Sequence, residues 1–284
     1  MKATLTFLGT GTSMGVPTLG CGCAVCTSAV TPPPAGDPRN RRTRPSVHIA
    51  WHSDGPDSYT DHAVLIDTGP DFHAQAIRER VTHVDAVFFT HPHADHILGM
   101  DDLRPLTFAL VDPLPLYADD QTAATIERVF DYTFRPPSRG TTIARVKLNR
   151  FTEAYEAIHL FGASFQRIPV NHGNLVISGY RFGSAAYLTD MSSIPQASLA
   201  QLQNLDILIL DALRHTPHPT HSNVENSLKI VDQLKPKRAF FTHMGHDLDH
   251  AATDATLPPH VRLAYDGLKL DFDLTPHITA EEIA

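Results

Sequence analysis

The sequence predicts an α/β protein in which β-sheets are covered by helices. Strand-like and helix-like segments alternate through both halves of the 284 residues. No repeat, low-complexity tail or linker-like stretch divides the chain, so residues 1–284 read as one domain. Hydrophobic residues make up 42% and charged residues 19%, a balance able to bury a core of that size.

Lys2–Leu8 (KATLTFL) alternates apolar and polar residues, the period of a half-buried strand. A glycine-rich loop, GTGTSMGVP, leads from it to Cys21, Cys23 and Cys26. Thr31–Pro45 (TPPPAGDPRNRRTRP) is rich in proline and arginine and reads as an irregular surface loop. Ser46–Trp51 and Ala63–Asp67 (AVLID) form a strand pair across a polar hairpin, DGPDSYTD. Phe72–Arg80 is a short amphipathic helix, and Asp85–Thr90 (DAVFFT) a buried strand. Asp120–Phe130 reads as a helix, Ala163–Val170 and Leu175–Ser178 as strands. Ala185–Thr189, Ile207–Leu210 and Arg238–Thr242 are short apolar strands. Asn223–Leu234 is a helix whose Ser222 and Glu225 have the S-x-x-E spacing of a capping box.

Polar residues gather where these strands end. Asp67, His91, Asp190, Asp211 and His243 follow or nearly follow VLID, VFFTH, YLTD, ILILD and AFFTH. Side chains there project from a rigid frame into a shared cleft, where tight geometry is best held. The chain also carries eighteen histidines, well above an average share.

His91–His96 (HPHADH) places four potential ligands in six residues directly after a buried strand. In an extended turn His91 and His93 converge on one ion, while Asp95 and His96 reach a second. Two ions need further ligands, and His172, Asp190 and His243 each follow a short strand. Together these give five histidines and two aspartates. Asp211 and His215 are candidates to fix the tautomer of a metal-binding histidine. Arg42 and Arg104 are candidates, with Arg41 and Arg44, to contact a phosphate.

The three cysteines are an odd number for disulfides and one short of a closed zinc site. The N-terminus has no apolar segment of signal-peptide length, and no apolar run approaches a membrane span. The expectation is therefore a cytoplasmic, metal-binding protein with no membrane partner. A net charge of −8 argues against a stable nucleic-acid partner.

HPHADH resembles the H-x-H-x-D-H motif of the metallo-β-lactamase superfamily. That resemblance implies an αββα sandwich of two mixed sheets flanked by helices. It implies His91, His93 and His172 on a first metal, Asp95, His96 and His243 on a second, and Asp190 bridging both. GTGTSMGVPTLGCGCAVC, NRR at Asn40–Arg42, PVNHG, LTD, THSN and FTHMGH are similar, more narrowly, to the phosphoribosyl 1,2-cyclic phosphate phosphodiesterase group. The narrower likeness implies His221 as general acid and His246 as fourth ligand, with Cys21, Cys23 and Cys26, of a structural zinc at about residues 18–27. The expected activity is hydrolysis of a small cyclic or nucleotide-like phosphodiester by a hydroxide bridging two divalent ions, Zn, Mn or Fe, with Asp95 also orienting that hydroxide. Alternatives are an RNase Z-like ribonuclease, a thioester or ester hydrolase of the same fold, and a non-catalytic ligand-binding module. The partner is the substrate alone, and a homodimer is left open.

Overall fold

The computed structural model describes residues 1–54, 59–135 and 142–275. In chain order its strands are β1 (Lys2–Gly9), β2 (Ser46–Asp54), β3 (Tyr59–Ile66), β4 (Ala86–Phe88), β5 (Leu114–Ala118), β6 (Val146–Arg150) and β7 (Ala157–Leu160). They continue as β8 (Ala163–His172), β9 (Leu175–Phe182), β10 (Ala185–Leu188), β11 (Ile207–Asp211), β12 (Arg238–Thr242), β13 (Val261–Leu263) and β14 (Lys269–Asp273). One sheet runs β14-β1-β2-β3-β4-β5-β6 and the other β13-β12-β11-β10-β9-β8-β7. Both are mixed: β1, β2 and β3 pair antiparallel, whereas β3 through β6 and β10 through β13 pair parallel.

The sheets face each other across an aromatic layer. Phe7 meets Phe240 at 6.4 Å between ring centroids, and Phe88 stacks on Phe165 at 5.1 Å. Phe7, Phe88, Phe165 and Tyr180 are fully buried. Truncating one of them to alanine costs about 3–5 kcal/mol. The outer face of the first sheet is covered by helices Phe72–Glu79 and Asp120–Val129, which bury Phe72, Ala123 and Ile126 against Leu65, Val87 and Leu116. Helices Gln196–Ala200 and Val224–Leu234 cover the second sheet, burying Leu199, Val231 and Leu234 against Leu208 and Phe241. The result is the expected helix–sheet–sheet–helix sandwich. Among the described residues, no helix is long and apolar enough to cross a membrane.

Three details differ from the sequence reading, and a fourth expectation falls outside the described residues. Strands β5, β6, β7, β13 and β14 have no counterpart in it, because runs of three to five residues are too short to show a period. The tip of the DGPDSYTD hairpin, residues 55–58, lies outside the described residues. Helix Val224–Leu234 is capped by Asn223, whose side chain accepts from the Asn226 amide, and not by Ser222. Ser222 is buried and bonds Ser227 Oγ instead. Finally, the Thr31–Pro45 segment is not wholly a surface loop, since Asn40 and Arg42 are buried.

Candidate metal centre

Topology gathers the polar strand ends. The parallel strands β3, β4, β10, β11 and β12 present their carboxyl ends on one edge of the sandwich, the usual place for a site in such sheets. Asp67, Asp190 and His243, each just after a strand, have φ of 63°, 56° and 58°. This left-handed turn aims each side chain away from the strand direction, at a local cost of roughly 1–3 kcal/mol that the packed frame sustains. Gly69 allows the next close approach: a Cβ there would meet the Asp95 carbonyl oxygen at 2.1 Å, so only glycine lets the Asp67 turn lie against the histidine loop.

His91, His93 and His172 bring ligand atoms within 4.8 Å of one another, and so, as a second group, do Asp95, His96, Asp190 and His243. Asp190 touches both groups. Its Oδ1 lies 3.8 Å from His91 Nε2 and 3.0 Å from His243 Nε2, and its Oδ2 lies 3.2 Å from His96 Nε2. Asp95 Oδ2 is 3.3 Å from His96 Nε2 and 3.7 Å from His243 Nε2. All of these residues are buried except His93, which marks the open side.

The donor set fits divalent cations. His96 donates from Nδ1 to Asp67 Oδ2 at 2.7 Å, and the Nδ1 of His172 bonds the Asp190 and Thr220 carbonyls at 2.6 and 2.9 Å. Each bond fixes the proton on Nδ1 and leaves Nε2 as a lone pair facing the cleft. His91 is oriented by Thr90 Oγ1 at 3.0 Å from its Nδ1. Among the described residues, buried His96 Nε2 and His243 Nε2 have no hydrogen-bond partner, although Asp190 carboxylate oxygens lie 3.2 and 3.0 Å away. The same place calls for positive charge. Burial alone would lower the pKa of His243, but Asp190 and Asp95 outweigh it and raise it to about 10.

Asp67 stands at a strand end, where sequence reasoning assigns it no task, and the structure places it against the histidine loop. Its carboxylate accepts from Thr90 N–H and Oγ1–H at 2.8 and 2.7 Å as well as from His96. It therefore ties the ends of β3 and β4 to the ligand helix Ala94–Ile97. Asp211, expected beside a metal-binding histidine, lies within 4.8 Å of ligand atoms of both His221 and His243 and bonds His221, with Oδ2 2.7 Å from Nδ1. His215 is exposed, and its carbonyl accepts from Asn223 Nδ2. The His221 ring stacks on His243 at 4.8 Å and meets His172 edge-on at 4.7 Å. Burial first, then the charge on His243, lower the His221 pKa to about 4.

A second group of potential ligands stands on the N-terminal loop. The Sγ atoms of Cys21, Cys23 and Cys26 lie 3.2, 3.5 and 3.5 Å from His246 Nδ1. The Cys26 amide, foremost, lowers the Cys23 thiol to about 6, whereas burial raises Cys26 to about 11. The loop carrying His243 and His246 is fastened by Arg42, whose guanidinium donates to the Gly245 and Leu248 carbonyls, both at 2.7 Å. Burial pushes its pKa down to about 10. Arg42 is thus buried and committed to main-chain oxygens, and its expected phosphate contact is withdrawn. Arg104 is ion-paired with Asp101 and donates to the Thr142 carbonyl, so it does not stand free for a phosphate either.

Comparison with known proteins agrees with this geometry. A family model described as the beta-lactamase superfamily domain matches residues 62–244. A crystal structure described as a new diphosphatase from the PhnP family is 52% identical, with a TM-score of 0.86 over 97% of this chain and 99% of that one. Zn(2+)-bound PqqB from Methylobacterium extorquens shares the fold at 21% identity, with a TM-score of 0.69 over 95% of this chain and all of that one. A protein of Porphyromonas gingivalis named octanoyltransferase is 32% identical over 97% of this chain but only 54% of its own length. The chain spans about half the length of the curated relatives it matches. Fold and donor set together imply divalent metal binding. The chain belongs to the metallo-β-lactamase superfamily, a family of metal-dependent hydrolases.

Proposed function

We propose that the chain is a dinuclear metal-dependent phosphodiesterase acting on a small cyclic or nucleotide-like phosphodiester such as phosphoribosyl 1,2-cyclic phosphate. The observation that carries this reading is the pair of ligand groups sharing Asp190, with the Asp211–His221 pair beside them. In this reading His91, His93 and His172 would hold one ion and Asp95, His96 and His243 the other, with Asp190 in reach of both groups. Zinc or manganese suits the imidazole and carboxylate set, and iron is the third choice. Such ions, when bound, supply Lewis acidity and a water of lowered pKa.

The chain's own residues do the rest. Asp95 orients the attacking water. The neutral His221 ring, its Nδ1–H held by Asp211, takes up at Nε2 a proton released by the attacking water. Asp211 stabilises the resulting imidazolium, and as the ester P–O bond breaks the ring gives that proton to the departing alkoxide. Water adds its oxygen to phosphorus, one of its protons ends on the freed hydroxyl and the other on the new phosphomonoester or in solvent. A cyclic diester opens to a single hydroxyl-bearing phosphomonoester, and a linear one gives a phosphomonoester and an alcohol. Cys21, Cys23, Cys26 and His246 form a closed structural zinc site, which suits a reducing compartment such as the cytoplasm. One domain of 284 residues with net charge −8 suits a small substrate better than a nucleic acid.

The similarity to a PhnP-family diphosphatase supports phosphoester chemistry. The octanoyltransferase name gives no matching support for acyl transfer, because all three thiols of this chain turn toward His246. The test is turnover of bis(p-nitrophenyl) phosphate by protein loaded with Mn²⁺ or Zn²⁺. Steady hydrolysis is expected. A fully loaded protein inert toward that ester and toward ribose cyclic phosphates would sink the reading.

A further inference from the structure

The segment Arg214–Thr220 (RHTPHPT) is not used by the chemistry above, yet it is built with care. The Arg214 guanidinium donates to the Thr216 and Pro217 carbonyls at 3.2 and 2.8 Å, and prolines 217 and 219 flank His218 and restrict its backbone. Thr216, Pro217 and Pro219 are exposed, so this order is not the by-product of a core. What the loop holds in place is His218. That ring is half-buried, 5.1 Å from the His221 ring, on the cleft side where His221 packs on His172 and His243.

The tautomer of His218 follows from its neighbours. The Thr220 amide donates to Nδ1 at 3.3 Å, and Thr220 Oγ1 lies at the same distance. An N–H can donate only to a lone pair, so the neutral ring carries its proton on Nε2. Burial, then His221, lower the His218 pKa and favour that neutral ring. Among the described residues no protein group bonds Nε2. Thr220 links the ring to the metal centre as well, since its carbonyl accepts from His172 Nδ1 at 2.9 Å. His218 therefore resembles His221 turned around: its Nδ1 is an acceptor rather than a donor, and its Nε2 a donor with nothing yet to meet.

We infer that His218 is a substrate-contacting residue whose Nε2–H donates to an oxygen of the alcohol portion of the substrate, beyond the bond that His221 helps to break. This rests on the phosphodiesterase reading. It gives the site a preference for oxygen-bearing leaving groups, sugars and nucleosides, over aryl groups that offer no acceptor there. A single such bond is worth about tenfold in kcat/KM, because a site built to bond an oxygen loses more when the partner is missing than a merely apolar contact does.

Two substitutions separate the donor from the scaffold. In His218→Asn the amide oxygen can still accept from Thr220, but no donor reaches the Nε2 position. In His218→Gln a terminal amide N–H reaches about as far as Nε2, while the Thr220 bond is lost. Both would be assayed on a 2′,3′-cyclic nucleotide and on bis(p-nitrophenyl) phosphate, with metal content checked. The expected result is a KM rise of about tenfold for His218→Asn on the cyclic nucleotide and a smaller rise, below about threefold, on the aryl ester. His218→Gln should recover most of the loss. Equal losses on both substrates, a wild-type-like His218→Asn, or a His218→Gln worse than His218→Asn would overturn the inference and leave the phosphodiesterase reading standing. An inert wild type on both esters overturns both.

Discussion

The two clusters of metal-ligating side chains are built in opposite ways. The cysteine group takes three of its four members from six consecutive residues where a loop enters the short helix Ala24–Ser28, and Cys21, Cys23 and His246 are only half-buried. The histidine–aspartate centre draws its members from the ends of β4, β8, β10 and β12, and almost all are fully buried. One is a local motif completed by a single distant residue, and the other is made by topology. A four-ligand tetrahedron leaves no position for a substrate and serves as a fastener. A centre with an exposed edge at His93 and an oriented histidine beside it leaves room for chemistry. Yet the two are mechanically joined, because His243 and His246 sit three residues apart on a loop that Arg42 and Asn40 grip.

That contrast can be broken by substitution, starting where the effect is largest. Asp190→Ala removes the carboxylate common to both ligand groups, so activity should fall at least about 10³-fold with loss of bound metal by elemental analysis. Retention of two ions would show that Asp190 is not shared. His221→Ala should lower kcat about 10²–10⁴-fold while metal content stays at the wild-type value. A near wild-type rate on an alkyl ester, whose leaving group needs a proton, would remove His221 from that part. Asp67→Asn weakens the hold on the His96 tautomer and should cost about 10–100-fold in metal affinity, read by competition with a chelator.

On the fastener side the readout changes from rate to stability. Cys23→Ser should release one tightly held zinc per chain and lower Tm by about 6–10 °C, with a smaller fall in kcat than any substitution above. An unchanged zinc count would refute the Cys₃His assignment. The smallest effect concerns His250, whose amide is held by Asn40 on the same loop. Burial, then Arg39, lower its pKa to about 4. Because the unfolded imidazole titrates near 6.5, the unfolded chain takes up the proton first, and stability present above that pH is lost as it falls toward 4. His250→Gln should flatten that part of the stability–pH curve in urea titrations.

Much of this was legible in the chain. The HPHADH loop announced itself by density, and the apolar strands VLID, YLTD and AFFTH by their polar last residues. Other parts were illegible for definite reasons. Arg42 looked like an exposed phosphate contact because its proline- and arginine-rich setting reads as surface, whereas two main-chain carbonyls 203 and 206 residues away make its burial tolerable. Asp211 was expected to orient a histidine, but only the parallel pairing of β10, β11 and β12 decides that the ring it bonds is His221.

By itself, the sequence determined the alternation of strands and helices, the residue types that can bind metal and the strand ends that carry them. These are local matters of period, burial and donor chemistry. The tertiary structure alone decided that Asp190 touches both ligand groups, that Asp67 holds His96, and that the His218 ring lies 5.1 Å from that of His221. The first two depend on groups 18 to 99 residues apart meeting within a few ångströms, and strand order and left-handed turns set that proximity, which no local pattern encodes.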